Sequence, residues 1–579
     1  MVASTEDPGD GINREAIDAA LETLDAHKQR WATLNLDEKI ALLDSVRVNT
    51  LNCSARWVQL ALRAKGIPHD HPVSGEEWLS GPYQLIETVN ALSDTLKALR
   101  DGQDLLDGVE TRTRPDGQLI AQVFPRHTFD KVMLNGVRAE VWMQPGVTAS
   151  NLRTSMAQFY RSPERVGRVT LVLGAGNIAS IPPLDMLYKL FVEGQVVVLK
   201  MNPVNAYLGE FFEAIFDRFV QAGFVRFLYG GAAVGRVLTE HPLVEAMHIT
   251  GSEKTHDVIL FGPGEEGVRR KASDEPVNTR PMTSELGGVG PTIVVPGPWS
   301  DEDLAFQAEH VATQKMHNGG FNCIASQVLI LPTSWGLSQA FLSEVERVLR
   351  TVVRRSPYYP GAAQRTAAIQ EAYPDCTALD RSEVPRLLIR NVDADNKDEV
   401  AFNTEFFSAA LAQTTLPGSD AETFLRNAVA FANETLHGTL GANIIIHPDT
   451  LRELGAVFEE IVAELEYGAI GVNAWSGTAF AMTHGTWGAF PGHPRNDIQS
   501  GVGVVHNALM FGKPQKTVVY APFAPFPRSM FNGERTLMPK PPWFITNKTG
   551  HRIARLMTQF SAAPGWHWMP TLFRFALRG

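Results

Sequence analysis

Three cysteines in 579 residues, Cys53, Cys323 and Cys376, are too few and odd in number for a disulfide framework, and they fit a reducing compartment. Long apolar runs are also lacking. The most hydrophobic stretch, 168 to 199, is interrupted by Asp185, Lys189 and Glu193, so no segment reads as an integral membrane span. There is no surplus of basic residues either: 52 Lys and Arg stand against 63 Asp and Glu, a formal net charge of -11 that disfavours nucleic acid as a main partner. The opening MVASTEDPGDG lacks the basic and apolar regions of an export signal, which leads to an expectation of a cytoplasmic protein. No G-x-S-x-G elbow and no G-x-x-x-x-G-K-[ST] loop is found, which removes the main support for hydrolase and P-loop readings. His69-Asp70-His71 and the pair His484 and His493 lack zinc-ligand spacing, so no metal is expected.

What is present is ample apolar material, 44% of residues, for several buried cores. Residues 13 to about 110 carry apolar positions spaced three and four apart, with a helix beginning after Asp37 and stopped by Gly66 and Pro68. LIAQVF and RAEVWMQ read as a short hairpin. From 168 the pattern becomes strand, helix, strand: RVTLVL, a helix opened by paired prolines and closed by Gly194, and QVVVLK. A helix with Leu208, Phe211, Phe212, Ile215, Phe216 and Phe219 on one face follows, then FVRFLY, GRVLTEH and VEAMHIT, which together predict a parallel sheet covered on both faces. A second α/β pattern starts at PTIVVPG and continues with a helix capped by Ser300 and Asp303, then SQVLIL, ANIIIH and AIGVNAW. The segment after Tyr520 is rich in Pro, Trp and Phe and has no clear period.

Gly174-Ala175-Gly176-Asn177-Ile178-Ala179 follows a strand and matches the dinucleotide fingerprint G-x-G-x-x-A. The next strand ends at Lys200, where the ordinary fingerprint fold places an acid. Cys323 ends a glycine-rich turn, Asn318-Gly319-Gly320-Phe321-Asn322-Cys323, between a helix and a strand. A free thiol titrates at about 8.5, so nucleophilic use requires help from neighbours, and a buried structural cysteine is the bland alternative. Glu285 lies in Ser284-Glu285-Leu286-Gly287-Gly288, where a carboxylate beside a small-residue turn can serve as a general base or simply be solvated.

Taken together, Asn177, Lys200, Gly251-Ser252, Glu285 to Gly288 and Asn318-x-Gly-x-x-Cys323 occur in the order and approximate spacing of the aldehyde dehydrogenase superfamily, which the chain resembles over about residues 140 to 520. The resemblance implies an α/β fold with a Rossmann-like cofactor domain, an α/β catalytic domain and an oligomerisation hairpin. Applied to this chain, it divides the sequence into a helical region 1–134, a cofactor domain 135–284, a catalytic domain 285–495, a return segment 496–525 and an extension 526–579. It further implies NAD- or NADP-dependent oxidation of an aldehyde, with Cys323 forming a thioester, Asn177 holding the oxyanion and Glu285 activating water. Lys200 resembles the adenine-ribose contact, Gly251 and Ser252 the pyrophosphate contact, Glu405 the nicotinamide-ribose carboxylate and Phe407 the neighbour of the nicotinamide. Lys516 to Tyr520 resembles the strand through which homodimers or homotetramers assemble. Departures are Lys200-Met201-Asn202-Pro203 without the family's ribose carboxylate, which leaves NADP open, and Ser408-Ala409 after Phe407. Phe321, Trp475 and Trp487 are expected to line a tunnel for a hydrophobic or aromatic aldehyde. The competing readings are a CoA-acylating enzyme, against which Glu285 argues, and a catalytically silent nucleotide-binding scaffold.

Overall fold

A computed structural model describes residues 13–579; the opening sequence MVASTEDPGDG, read above for export signals, lies outside the described residues. Two sheets organise the chain. The smaller has six strands, and its five parallel members, Val169–Leu173, Val196–Lys200, Val225–Leu228, Ala246–Gly251 and Met282–Leu286, come from the segment where strands and helices alternate. Gly501–Val502 adds the sixth, antiparallel to Ser284 and Glu285. The larger sheet has eleven strands with a parallel centre formed by Leu387–Ile389, Ala410–Leu416, Ser326–Pro332, Gly290–Val294, Gly441–Ile445 and Ala469–Val472. Its central strands are buried on both faces, which is why they read as continuous apolar runs.

The helical N-terminal region is present as Arg14–Thr33, Leu36–Ala64 and Gln84–Arg100. Its first helix lies on the smaller sheet itself, and the other two pack on that sheet's helices. Trp31 is fully buried, donates from Nε1 to Leu190 O at 3.0 Å and meets Phe191 edge-on at 5.3 Å, while Trp57 meets Phe212 at 5.3 Å. The cap of the second helix is Asn35, whose side chain accepts from Glu38 N, so this helix starts just before Asp37. The Ser300 capping box forms as the sequence predicts.

Three expectations change. The helix expected over 208 to 219 is two, Gly209–Ile215 and Asp217–Gln221, because Phe216 leaves helical geometry; this lets Phe212, Phe216 and Phe219 all remain fully buried. The short hairpin is a three-stranded antiparallel meander, Glu110–Thr113, Leu119–Phe124 and Arg138–Met143, joined to the larger sheet. The strand Pro514–Tyr520 pairs with Arg138–Met143 on one side and Ala469–Val472 on the other. Both its edges are therefore used within the chain, so it presents none to a neighbouring subunit. No helix among the described residues is long and apolar enough to cross a membrane.

Candidate active site

Cys323 sits just after the glycine turn that ends the Asp301–Met316 helix, and Glu285 sits in the edge-proximal strand of the smaller sheet. The fold brings them into contact: the Cys323 thiol donates to Glu285 Oε1 at 3.4 Å. Trp487 Nε1 donates to the same oxygen at 3.2 Å. Burial, reinforced by the nearby carboxylate of Asp185, pushes Glu285 up to about 7, although the two donors oppose the shift. Burial and the carboxylates of Glu285 and Glu405 also push the Cys323 thiol up, so at rest the pair is a protonated thiol facing an acid poised near neutrality. A thiol in that state becomes a nucleophile when its proton passes to Glu285.

Two cavities meet at this pair. One, of about 1610 Å³, is lined by Gly174 to Asn177, Lys200, Gly251, Ser252, Glu405 and Phe407, together with Cys323 and Glu285. It is the site at which the resemblance places the cofactor. Ser252 caps the Glu253–Phe261 helix, whose N-terminal amide groups are suited to an anion. Glu405 Oε1 is buried without a hydrogen-bond partner, an acceptor left for hydroxyl groups of a ligand. Its carboxylate lies over Gly287, where a Cβ would come within 2.2 Å of both oxygens. A Cβ at Gly176 would meet Asn202 Oδ1 at 2.7 Å and Val204 at 2.9 Å, so the glycine serves close packing of the turn against the following segment.

The other cavity, of about 910 Å³, runs from Cys323, Glu285 and Trp487 past Trp475 and Phe480 to Phe129, Phe560 and Trp566. Trp475 and Trp487 are thus on the tunnel wall. Phe321 is not: it packs among Tyr358, Tyr359 and Phe407, on the side of the larger cavity. Among the described residues no group of His, Cys, Asp and Glu is arranged to hold a metal ion.

Asn177 is buried and its Nδ2 donates to Phe321 O at 3.2 Å, which fixes the amide beside the cysteine turn. The turn is braced from the N-terminal region, a link no local sequence signal reveals. Lys65 Nζ donates to Glu77 at 2.7 Å, to Asn318 Oδ1 at 3.0 Å and to Asn177 O at 3.1 Å, and Glu76 accepts from Asn318 N at 2.9 Å. Lys65→Met leaves Glu77 buried without its cation and is expected to cost about 3–5 kcal/mol of stability, measured by chemical unfolding of the full chain. An unchanged midpoint would show that the brace contributes nothing.

Sequence reasoning also missed Asp185, Tyr359 and Arg365. Asp185 is buried, accepts from Thr250 Oγ1 at 2.7 Å, lies 3.5 Å from His248 Nε2 and keeps its second oxygen unpartnered. Arg365 donates to Phe407 O at 3.2 Å and, with Lys315, moderates the upward shift that burial and Glu285 impose on Glu405, which titrates at about 8.

Residues 143–372 match the Aldehyde dehydrogenase family. Over this stretch the chain is similar to aldehyde dehydrogenases. A putative aldehyde dehydrogenase of Staphylococcus aureus is 30% identical over 173 residues, which is 30% of this chain and 33% of that protein. A counterpart from Staphylococcus saprophyticus is 25% identical over 299 residues, 48% of this chain and 58% of its own length. The sequence matches to these superfamily members therefore span from a third to somewhat over half of the relatives. The fold extends further: an NADP-dependent glyceraldehyde-3-phosphate dehydrogenase from Bacillus halodurans, solved with NADP, superposes with a TM-score of 0.57 at 18% identity, covering 87% of this chain and 91% of that one. An NAD-dependent aldehyde dehydrogenase from Sinorhizobium meliloti gives 0.55 at 17% identity over 92% and 88%.

Proposed function

We propose that the protein oxidises a hydrophobic or aromatic aldehyde to its carboxylic acid with NAD or NADP. The observation that carries this reading is the meeting of two cavities on either side of Cys323 and Glu285, one lined by the glycine turn, Lys200, Ser252 and Glu405, the other walled beside the pair by Trp475, Phe480 and Trp487. The larger cavity fits a dinucleotide: Lys200, Ser252 and Glu405 would hold it, with Phe407 beside its reactive ring. Bound there, it supplies a hydride acceptor.

Glu285 takes the thiol proton as Cys323 Sγ adds to the aldehyde carbonyl. Asn177 and the Cys323 backbone N–H stabilise the oxyanion that forms. Loss of hydride to the bound nicotinamide would leave an acyl-cysteine, and once Glu285 has released the thiol's proton to solvent its carboxylate takes a proton from the water that attacks the acyl carbon. Trp487 keeps that oxygen oriented throughout. The aromatic wall of Trp475, Phe480 and Trp487 excludes bulk water and favours an apolar substrate. The test is NADH or NADPH formation with a panel of aldehydes, with and without CoA. CoA-independent turnover that rises from short polar to long-chain or aryl aldehydes is expected; cofactor binding without turnover of any aldehyde would leave a silent scaffold, and strict need for CoA an acylating enzyme.

A further inference from the structure

Residues 521–579 carry eight Lys and Arg against a single acid, Glu534, in a chain whose total charge is -11. Within this segment lie all the exposed Phe, Trp, Leu and Met of the described residues: Phe526, Met530, Phe531, Leu537, Trp566, Phe573 and Leu577. Phe531 is 85% exposed, Leu577 66% and Trp566 59%. Such a concentration of large apolar groups in water is costly unless something covers them.

Their arrangement is specific. In the Met569–Ala576 helix, Met569 and Leu572 pack inward against Phe560 and Met557. Phe573, Arg574, Leu577 and Arg578 are exposed and fall one turn apart on the other side, so the water-facing surface is alternately apolar and cationic. A helix whose outer face pairs Phe and Leu with Arg is built to lie at a lipid–water interface. The strap 526–537 joins the same flank through residues 135 and 136: Leu537 N donates to Asn135 Oδ1 at 2.9 Å, and Gly136 is flush against Thr536.

That flank reaches the end of the tunnel remote from Cys323 through Trp566. Trp566 packs on Phe129 at 4.7 Å, Phe129 on Phe560 at 5.1 Å, and all three line the cavity that ends at Cys323. Of the acids lining this cavity, Asp44 and Asp94 are paired with Arg47 and Lys97, and Asp130 accepts from the backbone N–H groups of Arg126 and His127. They add little repulsion toward an anionic surface.

We propose that this face docks on a bilayer containing anionic lipid, with Phe531, Trp566, Phe573 and Leu577 entering the headgroup layer and Arg574 and Arg578 meeting lipid phosphates. Docking holds the tunnel mouth against the membrane, so an aldehyde dissolved in the bilayer reaches Cys323 without crossing water; this delivery role rests on the function proposed above, whereas the docking itself does not.

The test is co-sedimentation of the full chain with vesicles of phosphatidylcholine alone or mixed with phosphatidylglycerol, at low and high salt. The parent is expected to bind the anionic vesicles and to be released by salt. Arg574→Glu combined with Arg578→Glu should weaken binding roughly thirtyfold or more, given the contribution of each basic residue near such a surface. Phe573→Ser with Leu577→Ser should weaken it by about tenfold or more, with unchanged unfolding midpoints in both variants. Cys323→Ala should bind like the parent, which separates failure of docking from failure of the proposed chemistry. Equal binding to neutral and anionic vesicles, or none, overturns the proposal. So does a dimer in light scattering that the Phe573/Leu577 variant dissociates without any vesicle binding, an outcome that assigns the face to a second copy of the chain.

Discussion

Cys323→Ala is expected to lower aldehyde turnover by at least on the order of 10⁴-fold, because losing the attacking atom removes the covalent route and leaves only binding and oxyanion stabilisation. The nicotinamide cofactor should still bind. Its cavity is built mainly from the smaller sheet and from Glu405 and Phe407, and the alanine removes only one sulfur from its floor. A loss of cofactor binding equal to the loss of turnover would point to a collapsed turn. Turnover retained within a factor of ten would refute the nucleophile assignment outright. Cys53 and Cys376 serve as internal controls, since both lie outside the two cavities.

Glu285→Gln carries the second large effect, roughly 10²- to 10⁴-fold in turnover, and it has a pH signature. Glu285 titrates at about 7 and acts as a base only when ionised, so the parent's rate should rise as pH increases through that value. The glutamine variant should lose this rising limb. Asp185→Asn supplies the sign control: removing the neighbouring negative charge favours ionisation of Glu285 and should move the limb to lower pH. A parent profile flat from pH 5 to 9, with Glu285→Gln fully active, would exclude the general-base role. A variant that stays slow but keeps the limb would assign the titration to another group.

The alternating strands and helices of the smaller sheet were legible because burial on both faces imposes uninterrupted apolar strands, and the Ser300 cap because its hydrogen bonds are local. Cys323 and Glu285 were legible through motif order and spacing. Their contact partners were not. Trp487 reaches Glu285 across 202 positions, and Lys65 reaches Asn318 across 253, separations at which no periodicity connects residues. Asp185 was read as an interruption of an apolar helix, yet it faces a buried hydroxyl and histidine. Phe321 was misplaced for a conformational reason: Asn318, Gly319 and Gly320 all have positive φ, and this reversal sends its ring to the side opposite the tunnel. The apolar and cationic face of residues 566–578 was legible in composition but not in position, since only the packing of Phe129 on Phe560 and Trp566 places it at the tunnel opening.

The position of Pro514–Tyr520 bears on how the chain is made. Its neighbours in the sheet, Arg138–Met143 and Ala469–Val472, leave the ribosome well before it does. Until residue 520 is available, the larger sheet exists as two separate parts, each with an unsatisfied row of backbone donors and acceptors along an otherwise buried strand. During synthesis that seam is open to pairing with other nascent chains, and a polypeptide interrupted before residue 514 never closes it. Such a product would enter the aggregated fraction or chaperone complexes although both members of the hydrogen-bonded pair, Glu285 and Cys323, had already been translated.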